Sequence, residues 1–385
     1  MNLNILFYTQ ISPFPTNGGE RIRSYGLIKA LSEIGYNVFA IINNEDNINL
    51  RDYDLPNVTY IGHSPSKISF FEKLFLLFLF KKERNVINIF NNILSKEKIN
   101  YAFLDYAFIG QYIDFFKLKK IPVILGTHNA QADLVFQQPV YNIFQKIRKK
   151  QSIYFLKKHE RKYFNKADKL IVVSEDDLSY HKKFVERYKI SIIPNFLDES
   201  KYSDSQPFKK ENYLIMTANF KAYMNFQGVK WFLETVWNNE LAKKTELLLV
   251  GKGSKEALIK IGSFPSVKAI GMVDDITSYI RKSKAAIIPL IHGSGSRLKC
   301  LEAMALKVQI ISTPKGVEGI KCDSFIIVNS IDEFKDCLLK VVDAPDVIDE
   351  IAYTTFMNNY SLKHAKLILE EIINSLPPPS KKGKD

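Results

Sequence analysis

The stretch Pro289-Leu290-Ile291-His292-Gly293-Ser294-Gly295-Ser296-Arg297-Leu298-Lys299-Cys300-Leu301-Glu302-Ala303-Met304-Ala305 decides how the chain is read. It follows an apolar run, Ala285-Ala286-Ile287-Ile288, with the pattern of a buried parallel strand. The glycines of the turn let backbone approach a ligand and tolerate positive φ. From Arg297 the residues are good helix formers, so a helix runs to Ala305. A helix start offers free N–H groups and the positive end of the dipole, which favour an anion. Arg297 and Lys299 place two cations there, and Glu302 follows on the first turns. A second apolar run, Val308-Gln309-Ile310-Ile311, ends in the loop Ser312-Thr313-Pro314-Lys315-Gly316. In an open α/β sheet, ligands bind at that edge. A glycine turn, two cations and one carboxylate fit a diphosphate lying beside a polyhydroxylated group.

Outward from this stretch, strand and helix patterns alternate. Ile5-Leu6-Phe7-Tyr8 reads as a strand, and a Pro/Gly loop through Gly18-Gly19 leads into a helix from Glu20 to Ile34. Gly35 ends that helix, and Val38 to Ile42 is the next strand. Val123-Ile124-Leu125-Gly126 is a strand with a polar end, Thr127-His128-Asn129. Ala167 to Ser174, Tyr213 to Met216, Glu246 to Val250 and Val267 to Gly271 continue the series. The expected class is α/β. Ser203-Asp204-Ser205-Gln206-Pro207 has the composition of a linker. Ser361 to Leu376 has helical period, with Leu362, Ala365, Leu369 and Ile372 on one stripe.

Composition excludes several classes. With 385 residues, 46% hydrophobic and 25% charged, the chain is globular and has room for two domains. A formal charge of +13 calls for an anionic partner: nucleotide phosphate, nucleic acid or an anionic membrane. No zinc spacing or aromatic-rich recognition motif supports nucleic acid. The three cysteines make no C-x-x-C pair, which fits a reducing cytoplasm. The N-terminus lacks a signal-peptide pattern, and no apolar run reaches the roughly 18–20 residues of a span. Asp52-Tyr53-Asp54 does not follow an apolar strand, so it reads as a surface turn and no metal site is expected. Neither Gly18-Gly19 nor Gly251-Lys252-Gly253 completes a dinucleotide fingerprint. Lys67 to Arg84, KISFFEKLFLLFLFKKER, fits a core helix or one lying on a membrane surface. Asn142 to Lys169 carries ten cations against Glu160 and Asp168 and fits a solvated helix face or one drawn to anionic lipid.

The central stretch resembles the donor-site signature of family-four glycosyltransferases, in the form G-S-G-x-R-x-K-x-L-E-A-M-A followed by S-T-P-x-G-x-E-G. Those positions are Gly293, Ser294, Gly295, Arg297, Lys299 and Leu301 to Ala305, then Ser312 to Pro314, Gly316, Glu318 and Gly319. Further similarity lies in Ile193-Pro194-Asn195, His128-Asn129 and the G-x-V-x-D turn from Gly271. Two departures are plain. Many members carry two glutamates eight positions apart; the second is Glu302, but the first position holds Ser294. An acidic residue two positions after H-N is replaced by Gln131, with Asp133 nearby.

The resemblance implies a GT-B fold: two Rossmann-like domains facing a central cleft, with a C-terminal helix crossing back to the first. The expected acceptor domain is 1–200 with the helix at 361–376. The donor domain is 208–360, and 377–385 is a disordered tail. The implied reaction is retaining, metal-independent transfer of a hexose-type sugar from a UDP or GDP sugar to a glycan or lipid-linked acceptor. The implied setting is cell-surface polysaccharide, lipopolysaccharide or capsule, at the inner face of the membrane. Arg297 and Lys299 would meet the diphosphate and Glu302 the ribose. Gly293, Ser294, Gly295 and Gly316 would line the donor site, Gly18 and Gly19 would face phosphate and acceptor, and His128 would touch the transferring sugar. The alternatives are a sugar-nucleotide epimerase of the same fold and a catalytically weak nucleotide-binding partner subunit.

Overall fold

The computed structural model describes residues 3–16, 18–44, 49–64, 82–128, 142–203, 209–292 and 297–378. The chain divides into two compact units, Met1–Asn195 with Ala365–Asp385, and Phe196–His364.

The first unit is built on seven strands: β1 (Asn4–Tyr8), β2 (Asn37–Asn43), β3 (Val58–His63), β4 (Tyr101–Asp105), β5 (Val123–Gly126), β6 (Lys169–Val172) and β7 (Ile190–Ile192). They pair in the order β3-β2-β1-β4-β5-β6-β7, every pair parallel. Helices on both faces bury such strands completely, so they read as unbroken apolar runs. Ile5, Leu6, Phe7 and Tyr8 are all fully buried. Leu6 and Tyr8 join one core cluster with Phe90, Tyr112 and Phe116, while Phe7 stacks on Phe103 at 5.0 Å. The crossover helix Gly19–Ile34 stops at Gly35, whose φ of 105° is the left-handed cap that glycine takes without strain.

The second unit repeats the plan with β8 (Tyr213–Thr217), β9 (Glu246–Val250), β10 (Val267–Gly271), β11 (Ala285–Ile288), β12 (Gln309–Ser312) and β13 (Ile326–Ile327). Their order is β10-β9-β8-β11-β12-β13, again parallel throughout. Leu214, Met216, Phe232, Trp237, Leu247, Leu249 and Phe334 form the centre of its core.

Each sheet has one topological switch point. β1 lies between β2 and β4, and β8 lies between β9 and β11, so the chain leaves in opposite directions from neighbouring strands. The crevice beyond the carboxyl ends of those strands is where such sheets bind ligands.

The change of unit falls at Asn195/Phe196, earlier than the Ser203–Pro207 stretch picked out by composition. The reason is a set of bonds that composition does not show. Leu197 bridges to Ser361, the Glu199 carboxylate accepts from Leu362 N at 2.8 Å, and Arg281 donates to the Tyr202 carbonyl at 3.0 Å. In the last helix, Leu362–Asn374, the stripe Leu362, Ala365, Leu369 and Ile372 is buried. From Ala365 this helix belongs to the first unit, where Lys366 Nζ lies 2.8 Å from Glu33. Among the described residues no helix is long and apolar enough to cross a membrane. The Phe/Leu-rich part of Lys67–Arg84 and the tail from 379 lie outside the described residues.

Candidate functional site

In the second unit, β11 runs out through Pro289 and Leu290. Arg297 is the residue before the helix Leu298–Ala305, and among the described residues no side chain caps that helix start. Gly293, Ser294 and Gly295 lie outside the described residues. Arg297 is buried, and its Nη2 lies 3.2 Å from Glu318 Oε2. Burial pulls its guanidinium below the usual range, against the pull of Glu318. Lys315 Nζ also reaches the Glu318 carboxylate, at 2.7 Å.

Lys299 Nζ donates to Asn225 Oδ1 at 2.9 Å. Asn225 stands on the helix Tyr223–Thr235, which follows β8, so this bond joins the two sides of the switch point. Burial, with Arg297 adding to it, lowers the Lys299 ammonium to about 8, although Cys300 and Glu302 oppose the change. Burial likewise raises the Glu302 carboxyl to about 7, with Lys299 pulling the other way. Among the described residues no hydrogen bond reaches that carboxylate. Burial, with Glu302 next in weight, raises the phenol of Tyr202. Two cations and a carboxylate are therefore gathered at one helix start, and for Lys299 and Glu302 burial outweighs the contacts they make. A ligand bringing phosphate charge and hydroxyl groups would suit that pair.

Two neighbours are held in place by the fold itself. The Cys300 thiol is fully buried, donates to the Gly316 carbonyl at 3.3 Å, and is pushed up to about 12 by burial, so it is no nucleophile. A Cβ on Gly316 would collide with Ser312 Oγ and the Ile288 carbonyl. Packing of β11 on β12 therefore demands this glycine. That is a different reason from the ligand approach that the sequence resemblance implies.

In the first unit, Gly18 is extended (φ −153°) and opens the helix Gly19–Ile34, whose start no side chain caps among the described residues. A Cβ on Gly18 would meet nothing within 4 Å, so this side of the loop is open. His128 stands two residues beyond β5, with Nε2 3.0 Å from Asp105 Oδ1 and both side chains buried. Tyr106 packs on its ring, edge to face, at 5.4 Å. Asp105 Oδ2 accepts from Ser24 Oγ at 2.5 Å. Burial alone would raise the Asp105 carboxyl, but His128, Ser24 and Arg23 together hold it below the usual range. Asn129, Gln131 and Asp133 lie outside the described residues.

Asp105, Ser24 and Arg23 belong to none of the motifs in the sequence. The available signal was the run Tyr101-Ala102-Phe103-Leu104 ending in a carboxylate, a buried strand with a charge at its carboxyl end. Among the described residues no group of three or more His, Cys, Asp or Glu side chains is placed to hold a metal.

Residues 17–201 match the family model described as Glycosyltransferase Family 4, and residues 211–344 match Glycosyl transferases group 1. An uncharacterised protein of the cps region of Klebsiella pneumoniae is 22% identical over 383 residues, spanning 91% of this chain and 95% of that protein. Among solved structures, HepE of Anabaena, in complex with UDP and glucose, superposes with a TM-score of 0.64 at 11% identity, covering 97% of this chain and all of that one. The lipopolysaccharide outer core galactosyltransferase WaaB superposes at 0.61 with 15% identity, covering 97% and 99% of the two chains. The two parallel sheets and these neighbours define a GT-B protein with two Rossmann-like domains. The two domain matches narrow the class: they support a glycosyltransferase similar to family four.

Proposed function

We propose that this chain moves a sugar from a nucleoside diphosphate sugar to a glycan or lipid-linked acceptor, with retention of configuration, in the assembly of a cell-surface polysaccharide. The observation that carries this reading is the cluster Arg297, Lys299 and Glu302 at the carboxyl end of β11, beside the switch point. As the glycosidic bond breaks, charge grows on the leaving diphosphate. We assign its neutralisation to Lys299 and Arg297, with the N–H groups of the helix start. They do so from fixed positions, and the assignment of the work to protein cations leaves no step for a metal. Glu302, once ionised, accepts from ribose hydroxyls. We assign His128 to the transferring sugar, and the Gly18-Gly19 helix start to phosphate and acceptor.

HepE was solved with UDP and glucose, which favours UDP among the donor nucleotides. The cps-region relative and the outer core galactosyltransferase favour a polysaccharide setting. Peripheral attachment to an anionic membrane is part of the same proposal. The helix Ile143–Tyr163 buries only Leu156, His159 and Glu160. Its outer part exposes Phe144 (75%), Ile143 and Ile147 among Lys146, Arg148, Lys149 and Lys150, the pattern of an interfacial helix.

A thermal-shift panel of UDP and GDP sugars tests the donor. A ligand at a hundredfold over its Kd adds about 2.7 kcal/mol of stability. Incubation with the donor alone separates transfer from epimerisation: an isomerised donor without acceptor contradicts the proposal. Ser294, standing where many members carry a glutamate, favours one second reading, a nucleotide-binding partner subunit. That reading predicts the same thermal shift with no product.

A further inference from the structure

The junction of β4 and β5 holds a buried carboxylate that the proposed function does not use. The two strands pair with Asp105 opposite Gly126. Gly126 carries no side chain, and a Cβ there would lie 2.9 Å from Asp105 Oδ1. That gap gives the carboxylate its place beside His128. The backbone between them is pinned to β6, since Thr127 donates to the Ile171 carbonyl through N–H at 2.9 Å and through Oγ1 at 3.2 Å.

Both carboxylate oxygens are engaged. Oδ1 meets His128 Nε2 at 3.0 Å and Oδ2 accepts from Ser24 Oγ at 2.5 Å. Arg23, 2% exposed, adds positive charge beside the carboxylate and donates to the Pro194 carbonyl at 3.0 Å. An ionised carboxylate only accepts, so the proton of the bond to His128 sits on Nε2. When the ring is neutral, Nδ1 then holds the lone pair; this atom is buried, and among the described residues no hydrogen bond reaches it.

We propose that Asp105 is a positioning residue for His128, holding the ring as its Nε2–H tautomer so that Nδ1 accepts a hydrogen bond from a sugar hydroxyl. This rests on the reading of His128 as a sugar-contacting residue. Ser24 and Asp105 thereby tie three elements into one support: the helix Gly19–Ile34, β4 and the end of β5. The second oxygen, held by Ser24, stops the carboxylate from rotating away.

Histidine-selective 15N labelling of the folded wild type reads the tautomer directly, with His128 assigned from His128→Gln. The expected spectrum has a protonated Nε2 and a bare Nδ1. Asp105→Ala releases the ring, and kcat falls about tenfold to a hundredfold through misorientation. The donor KM changes by less than about threefold, because ground-state binding of the nucleotide is untouched. Asp105→Asn keeps a carbonyl acceptor for Nε2–H and restores most of the turnover, whereas a residue that merely fills space is replaced as well by leucine. A proton on Nδ1 in the wild type, alone or with both nitrogens protonated, overturns the proposal without any variant. So does a folded Asp105→Ala with normal kcat when His128→Ala has lost it. If His128→Ala itself turns over normally, the assignment of His128 fails and takes the hydroxyl contact with it, while the spectrum alone decides whether Asp105 sets the tautomer.

Discussion

The two switch points are built alike and finished differently. In the first unit, charge is closed in on itself: Asp105 is fully buried, and His128 and Ser24 occupy both its oxygens. In the second, charge is left unbalanced. Lys299 is lowered to about 8 by burial and Glu302 raised to about 7 by burial, and no hydrogen bond reaches the Glu302 carboxylate among the described residues. A buried carboxylate held at both oxygens is fixed in its geometry. Charges left without full partners mark places where a ligand completes the set. The first crevice thus holds its carboxylate from both sides, and the second offers the charges that the proposed donor site uses.

The sharpest way to break this contrast is to remove the side chain assigned to the transferring sugar. His128→Ala is expected to cut turnover about 10²-fold, the scale of one lost transition-state contact, and to leave UDP or GDP affinity nearly unchanged. Equal loss of both, measured by steady-state kinetics beside calorimetry, would erase the division of labour.

A smaller effect follows from pH. In the proposed donor site, diphosphate binding uses the Lys299 ammonium. With its proton leaving near 8, affinity should fall up to about tenfold per pH unit above that value. Lys299→Arg, which stays charged, removes the fall. Glu302 gives the complementary signal in the unliganded protein. Its carboxyl is raised from 4.5 to about 7, so it contributes stability that is complete below about 4.5 and lost as pH rises through 7. Glu302→Gln should flatten that part of the melting curve against pH; an unchanged slope would place its source elsewhere.

The smallest expected effect lies away from both crevices. Phe144→Asp, on the exposed face of Ile143–Tyr163, should weaken binding to anionic vesicles by about threefold to tenfold, part of the worth of one buried aromatic side chain. High salt should release the wild type, since exposed charges are screened beyond about 8 Å. Equal sedimentation with neutral and anionic vesicles at low salt would remove the membrane surface from the account.

The alternation of strands and helices was legible because both sheets are parallel and buried on two faces. Ile5–Tyr8, Val123–Gly126 and Ala285–Ile288 announce themselves as unbroken apolar runs. The helix start at Arg297 was legible from its glycines, its cations and the helix formers behind them. What stayed hidden depends on pairing across the chain. Asp105 matters because it lies opposite Gly126 and within reach of Ser24, 81 positions earlier. Nothing local in Tyr101–Asp105 states that. The bond between Lys299 and Asn225, 74 positions apart, was hidden for the same reason. Gly316 was legible as a necessary glycine, but its neighbours Ile288 and Ser312 come from two strands, so only the fold supplies the cause.

The central claim is that the start of Leu298–Ala305 holds a nucleoside diphosphate, and calorimetry of UDP, GDP and the bare nucleosides tests it most directly. Arg297→Ala and Lys299→Ala should each cost about 1.5–3 kcal/mol of diphosphate affinity, the worth of a charge-assisted hydrogen bond, and much less of nucleoside affinity. Glu302→Gln should weaken nucleoside and nucleotide alike. Folded Arg297→Ala and Lys299→Ala proteins that both bind the diphosphate as tightly as wild type would contradict the account.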